Sequence, residues 1–215
     1  MCPDSDLRRL TFAGMEQNAP QRWSTSRKIA LIMVASFVFG VVMAWIKGNG
    51  AGLSDAVGNV SAIWLLLPFL AGAAADGRRV IVGALLGLLA TLAGLTGFYF
   101  AESFVLDLGQ HSWLTDLSLT MPTIRYYAEG GLITGPLFGA LGLWWRQRRS
   151  VAAAGLIGAV FVLEPVAWWL YGMHIGGGAA YSVPGYPALW LTEIAIGVGG
   201  FFLLRRIARQ QSEPA

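Results

Sequence analysis

The sequence predicts an all-α fold: a polytopic membrane bundle of about six transmembrane helices, with its N and C termini in the cytoplasm. An apolar composition, six apolar segments of spanning length and a one-sided distribution of basic residues predict it. Of the 215 residues, 55% are hydrophobic and only 13% are charged. Soluble domains are about 45–50% apolar and about 25% charged. The composition therefore indicates a protein whose solvent is largely lipid.

The six segments account for most of the chain. A hydrocarbon core about 30 Å thick needs about 20 apolar residues in a helix. This predicts a single transmembrane domain over 29–204, between a polar tail at 1–28 and a basic-polar tail at 205–215. The predicted spans are Ile29–Ile46, Val57–Ala75, Val80–Glu102, Tyr127–Trp145, Val151–Met173 and Pro187–Leu204.

The basic residues set the predicted orientation. All of the 15 Lys and Arg fall in the tails or in alternate connections, except Lys47 and Arg125. Cytoplasmic loops carry an excess of Lys and Arg, so the basic side is predicted to be cytoplasmic. We therefore expect a multi-pass protein of the cell membrane. Because these charges sit at helix ends, the net charge of +3 reflects topology, and no nucleic-acid partner is expected.

The sequence offers little to bind a metal or a cofactor. It contains one Cys and two His, and it has no phosphate-binding glycine loop and no Asp-rich motif for a magnesium diphosphate. We therefore expect no metal and no cofactor. The single Cys2 also excludes a disulfide within the chain.

Two carboxyl groups inside the predicted bilayer stand out. Glu164 and Glu193 each lie roughly 10 Å below the outer surface at about 1.5 Å per helical residue, on adjacent helices. Buried charges in lipid are costly, and burial beside a like charge disfavours ionisation. We therefore expect at least one of the two to carry a proton. The competing interpretation is a structural hydrogen bond between helices.

Aromatic residues accompany these and other acids at helical spacing. Phe161, Glu164 and Trp168 fall on one face of a helix, since residues three and four apart are neighbours. Pro165 follows the first acid directly, and an internal proline frees a backbone carbonyl. This pattern predicts a pocket in the outer half of the bundle. Its predicted substrate-binding residues are Phe161, Trp168, Tyr171, Trp190, Tyr99, Glu102, Glu129 and Trp64.

Glycines recur every four residues in two segments. They are Gly83 and Gly87 in the third segment, and Gly131, Gly135 and Gly139 in the fourth. Such spacing lets helix backbones approach closely. It predicts tight packing within the bundle and would also allow a homodimer.

Several stretches resemble known proteins. They look like parts of a widespread actinobacterial family of small six-helix membrane proteins without assigned function. The stretches are Val38-Phe39-Gly40, Trp64-Leu65-Leu66, Gly72 to Arg79, and Gly135 to Gly139 leading to Trp144-Trp145-Arg146. In size and layout the chain also resembles small membrane-bound terpene cyclases of bacterial indole-terpenoid pathways. That second resemblance implies cyclisation of a prenylated substrate or its epoxide.

The leading functional hypothesis is a proton-initiated terpene or meroterpenoid cyclase, acting as an isomerase or lyase. Such an enzyme needs a neutral acid, a dry pocket and aromatic faces that stabilise a carbocation. Glu164 is the predicted proton donor, with Glu193 tuning it or accepting the final proton. The partner would be an apolar prenylated molecule that arrives through the lipid bilayer.

Two alternatives remain open. The first is the substrate-binding membrane subunit of a vitamin-type importer. Its expected Ala-x-x-x-Ala spacing is missing from the first segment and occurs only at Ala71 and Ala75. The second is a small proton-coupled carrier that uses Glu164 and Glu193 as relay groups.

Overall fold

The protein is a bundle of helices. The computed structural model describes residues 25–48, 52–58, 60–76, 79–103, 113–175 and 186–210, and these ranges contain no strand. The helices are α1 (Thr25–Lys47), α2 (Gly52–Gly58), α3 (Ser61–Ala73), α4 (Val80–Ala101), α5 (Trp113–Arg148), α6 (Val151–Ile175) and α7 (Pro187–Gln210).

Five spans within the described residues are long and apolar enough to cross a membrane: α1, α2 and α3 taken together, α4, α6 and α7. The remaining long helix, α5, has 36 residues. It carries five charged residues as well as Pro122 and Pro136, and the charged residues lower its mean hydropathy. The predicted all-α membrane bundle is confirmed, with α5 as its longest and less apolar sixth member.

Charged contacts show that successive helices run in alternating directions. Lys28 of α1 pairs with Asp76 after α3, and Arg146 of α5 reaches the same carboxylate at 3.5 Å. At the opposite end, Lys47 of α1 pairs with Glu102 after α4, at 2.5 Å. We call the end that holds Lys28, Asp76 and Arg146 the basic end. Its assignment to the cytoplasm stays a prediction from the distribution of charge.

Helices α1, α3, α4 and α5 form a four-helix body, which glycines hold together. A Cβ atom at Gly139 of α5 would lie 2.7 Å from the Gly87 Cα of α4, and one at Gly72 of α3 would lie 2.8 Å from the Gly139 Cα. Gly40 of α1 makes a similar approach to α4. Both predicted glycine rows are thus used inside the chain, and a homodimer through them stays a prediction.

Helices α6 and α7 form an antiparallel hairpin that packs chiefly on itself. The two backbones approach at Gly158 and Gly197, where a Cβ at Gly197 would lie 2.8 Å from the Gly158 carbonyl oxygen. Towards the basic end, Ala153, Ala154 and Ile157 pack with Phe69 and Trp145 of the body. The hairpin contacts the body along both α3 and α5, through α6.

The second predicted span is interrupted. We expected one helix over Val57–Ala75, whereas the structure has α2 ending at Gly58 and α3 beginning at Ser61. Val60 between them has extended backbone angles, φ −62° and ψ 110°. Gly58-Asn59 precedes the break, and such a pair favours a turn over a continuous helix. The interruption leaves the N-terminus of α3 inside the bundle.

Candidate functional site: a carboxyl pair between body and hairpin

The N-terminus of α3 is capped by a carboxylate from the hairpin. The backbone N–H of Ser61 donates to Glu164 Oε1 at 2.6 Å, and that of Ala62 donates to Oε2 at 2.5 Å. The side chain of Val60, which precedes the helix, makes no capping hydrogen bond. Glu164 therefore supplies from α6 the cap that α3 lacks in its own sequence.

The physical need for this cap is strong. The first N–H groups of any helix have no partner within the helix, and lipid offers none. The positive end of the helix dipole also favours a negative charge. Glu164 is only 8% exposed, so these two bonds are what stabilises its charged form there. A hydrogen bond between Glu164 and another helix, the competing interpretation of this acid, is present. Its donors are backbone N–H groups of α3.

The second carboxyl lies beside the first. Glu193 of α7 is 3% exposed and adjoins the Glu164 carboxyl. Neither Glu193 oxygen has a hydrogen-bond partner among the described residues. A carboxylate in that position would face a like charge without any donor. A proton on Glu193 supplies the missing donor, and the pair then holds one negative charge and one proton.

Three predicted aromatic residues lie within about one helical turn of the two acids. Phe161 precedes Glu164 by one turn and is 4% exposed, and Trp190 precedes Glu193 by one turn and is 3% exposed. The Trp168 indole N–H donates a long hydrogen bond, 3.4 Å, to Glu164 Oε1. The side chain of Tyr171, the fourth residue predicted here, lies outside the described part of the structure.

Three other predicted residues form a separate cluster in the body. Glu102 is paired with Lys47, whose Nζ lies 5.3 Å from the centre of the Phe98 ring. Tyr99 packs edge-on against Phe98 with ring centroids 5.2 Å apart, and Trp64 does the same at 5.4 Å. We name Lys47, Glu102, Tyr99, Phe98 and Trp64 the Lys47 cluster. It stabilises the end of the body opposite the basic end.

Glu129 joins neither group. It is exposed on α5 and forms an ion pair with Arg125, one turn away, at 2.7 Å. The structure thus brings together five of the predicted site residues (Glu164, Glu193, Phe161, Trp168 and Trp190) and places Glu102, Tyr99, Trp64 and Glu129 elsewhere.

Two donors of the site, the backbone N–H groups of Ser61 and Ala62, were not predicted. The available signal in the sequence was the turn-forming pair Gly58-Asn59 at the edge of an apolar segment. A helix that begins inside a membrane bundle requires a partner for its N-terminus. A buried acid on another helix was the available candidate.

Residues 19–213 match the sequence profile of a family of unknown function, DUF6518. The match spans most of the 215 residues, so the chain belongs to this family. No curated protein and no solved structure matches the chain. The geometry of the carboxyl pair is therefore the main indication of what the protein does.

Proposed function

We propose that this DUF6518 protein is a small proton-coupled carrier of the cell membrane, with both termini in the cytoplasm, and that Glu164 and Glu193 form its proton-binding site. The observation that carries the proposal is the position of the pair. The two carboxyls lie where the α6–α7 hairpin meets the four-helix body, beside an interrupted span.

An interrupted helix at a ligand site is a recurring device of membrane carriers. The N-terminus of a half-helix presents unpaired N–H groups and a positive dipole to a bound anion. Here the bound anion is the protein's own Glu164, which contacts Ser61 and Ala62 across the boundary between the two parts. Anything that alters the charge of the pair therefore acts on the contact that joins hairpin to body.

The hairpin is suited to move as a unit. Its two helices pack on each other at Gly158 and Gly197, and they contact the body both at the basic end and beside the pair, where Phe161 packs with Val60 and Ala62. Proton loss from Glu193 would place two like charges side by side and weaken the contact with α3. Rocking of one helical unit against another around a fixed site is how alternating access is commonly achieved.

The test uses proteoliposomes that contain a trapped pH-sensitive dye. Organic cations, organic anions and neutral solutes are added outside in separate experiments, and the internal pH is recorded. A carrier moves protons in response to at least one class, and Glu193→Gln abolishes that response. Glu129→Gln is the matched control, because Glu129 is an exposed acid that pairs with Arg125 on its own helix. Folded native protein that moves no proton with any class would contradict the proposal.

The second candidate is the terpene cyclase, and one observation favours it. Phe161 and Trp190, both nearly fully buried, accompany the acids at one helical turn. Aromatic faces beside a protonated acid are what a carbocation intermediate requires. Since Glu164 accepts two backbone hydrogen bonds, the proton donor in this version is Glu193. Glu164 as the donor stays an untested prediction of the sequence.

The cyclase is tested by turnover. Membranes that contain the native protein, Glu193→Gln or Glu129→Gln are incubated with prenylated and epoxidised prenyl substrates. Cyclised products from the native and Glu129→Gln membranes, missing with Glu193→Gln, would support the enzyme. No product from any substrate with folded protein would eliminate it in favour of the carrier.

A further inference from the structure

We infer that the carboxyl pair binds a lipophilic organic cation in exchange for the Glu193 proton. This inference deepens the proposed carrier and depends on it. It assigns the chemical class of the cargo: a monovalent ammonium, phosphonium or similar cation with apolar substituents.

The charges that face the pair select a cation. Helix α3 contributes no ionisable side chain over Ser61–Ala73, only its terminal N–H groups. Helix α6 contributes Glu164 and α7 contributes Glu193, while the α7 arginines lie at its other end, Arg209 in its last turn. Lys47, at the end of α1 opposite the basic end, is engaged by Glu102. Once Glu193 loses its proton, the pair has an excess negative charge that only a cation can balance.

A second observation is independent of the charge count. With the Glu193 proton directed at Glu164, the Trp190 indole N–H and the other Glu193 oxygen still have no hydrogen-bond partner within the described residues, although both residues are 97% buried. Buried polar groups are nearly always paired, so a donor and an acceptor left unpaired one helical turn apart point to a ligand. Trp190 and Glu193 lie on the same face of α7, the face that adjoins Glu164.

The aromatic residues determine what kind of cation fits. Phe161 and Trp190 are buried within one helical turn of the acids, and a cation that reaches the face of an aromatic ring is stabilised by it. A strongly hydrated inorganic ion would lose its water shell there without recovering enough ligands. An organic cation with apolar substituents loses little hydration and packs against the rings.

The route to the site points to a cargo that partitions into lipid. Leu163 beside Glu164 is 59% exposed, and Leu191 and Ile196 near Glu193 are 67% and 51% exposed. In a bilayer these side chains contact acyl chains. The hairpin is therefore flanked by lipid at the level of the pair, and an amphiphilic cation reaches it from the membrane.

The exchange balances in charge and in protons. The protonated Glu193 carboxyl releases one proton as one monovalent cation binds, and the resulting carboxylate is paired with that cation. Because the bound cation neutralises the second carboxylate, Glu164 keeps its two bonds to the α3 N-terminus while the cation is bound. No bond other than the O–H of Glu193 is broken.

The test measures binding of three probes of similar shape to the purified protein: tetraphenylphosphonium, the anion tetraphenylborate and neutral triphenylphosphine oxide. Calorimetry in buffers of different ionisation enthalpy counts the protons released. We expect the phosphonium to bind at least about tenfold more tightly than the neutral probe, with release of close to one proton. Glu193→Gln should lose both the preference and the proton release, whereas Glu129→Gln should keep both.

Separate outcomes distinguish the inference from the carrier proposal. Equal binding of all three probes, or a preference for the anion, would overturn the inference that the cargo is an organic cation. The proposed carrier would still stand if the liposome assay shows proton movement. Phosphonium binding without proton release would overturn the exchange. Because Glu193→Gln could fail to fold, Glu193→Asp serves as a second variant. It should retain proton-linked binding with reduced affinity, and loss of that linkage in a folded protein would contradict the inference.

Discussion

The four-helix body and its boundary with the hairpin are held together by different interactions. In the body, glycines bring backbones together, as where a Cβ at Gly139 would lie 2.7 Å from the Gly87 Cα. At the boundary, helix α3 begins inside the bundle and needs the Glu164 carboxylate to cap it. The body depends on close packing, whereas the boundary depends on charge and hydrogen bonds.

This difference locates the functional part of the molecule. Lipid provides no hydrophobic force between helices, so close van der Waals packing holds them together. Such packing involves no ionisable group. A buried carboxyl pair is costly and responds to protons. A change in pH can therefore change the contacts of Glu164 and Glu193, whereas the glycine contacts remain fixed.

Removing the cap should have the largest effect. Glu164→Ala leaves the N–H groups of Ser61, partly buried, and Ala62, buried, without a partner, and an unpaired buried donor costs about 1–3 kcal/mol. We expect the free energy of unfolding to fall by roughly 1–4 kcal/mol, with faster amide hydrogen exchange at both residues. Glu164→Gln keeps one acceptor and should lie between the native protein and Glu164→Ala.

The exchange measurement is specific to the cap. Amides in the middle of α4 should be unaffected, since the body packs independently of the carboxylate. Equal exchange at Ser61 in the native protein and Glu164→Ala would show that the carboxylate does not cap α3.

Overpacking the body should have the next largest effect. Gly139→Ala gains helix propensity of up to about 1 kcal/mol, but its Cβ meets backbone on α4 that cannot give way as a side chain would. We expect a net destabilisation of about 1–3 kcal/mol, measured by thermal unfolding in detergent.

Gly199→Ala is the matched control for this substitution. A Cβ at Gly199 of α7 meets nothing within 4 Å, so this variant should be neutral or slightly more stable than the native protein. If both variants unfold at the same temperature, the glycine contacts do not hold the body together.

Breaking the ion pair of the Lys47 cluster should have a smaller effect. The Lys47 and Glu102 side chains are 21% and 25% exposed, so Lys47→Met leaves a partly buried carboxylate unpaired. We expect a loss of about 1–2 kcal/mol, between the values for exposed and buried pairs. The double variant Lys47→Met with Glu102→Gln should regain part of that loss in chemical unfolding. A double variant less stable than the single one would contradict this account.

The pair at the basic end should have the smallest effect and a defined pH dependence. The hydrogen bond from Lys28, with Arg146 contributing, holds the pKa of the Asp76 carboxyl below its ordinary value. The stabilisation is therefore present above about pH 4 and is lost as the pH falls through the lower folded pKa. Because the pair is exposed, Asp76→Asn should cost less than about 1 kcal/mol at neutral pH.

The pH series provides its own control. The difference in stability between native protein and Asp76→Asn should shrink as the solution is acidified below about pH 4. A difference that grows on acidification would contradict the assignment of a charged, stabilising Asp76.

Sequence patterns predict the helices well because lipid imposes length and composition on each span. The predicted start of the third span at Val80 and of the sixth at Pro187 agree with α4 and α7. The glycine rows likewise predict tight packing, since spacing by four places them on one face, and the structure shows that packing between α4 and α5. Helix bounds and helix faces depend on local sequence, which is why they could be predicted.

The break before α3 and its cap could not be predicted in the same way. Periodicity places Glu164 at a depth, but only the packing of α6 against α3 shows that its partners are the N–H groups of Ser61 and Ala62. Glu102 and Glu129 carry the same pattern of nearby aromatics, yet they pair with Lys47 and Arg125. A carboxyl beside an aromatic residue is a common motif near membrane interfaces, and only tertiary contacts separate the two buried acids from the rest.

The most direct test of the central claim is infrared spectroscopy of the protein in membranes across a pH titration. If Glu164 is the charged cap and Glu193 carries the proton, the native protein should show the C=O stretch of a buried protonated carboxyl at neutral pH. That band should disappear in Glu193→Gln and persist in Glu129→Gln. A native spectrum without the band, or a band that Glu193→Gln leaves unchanged, would contradict the account.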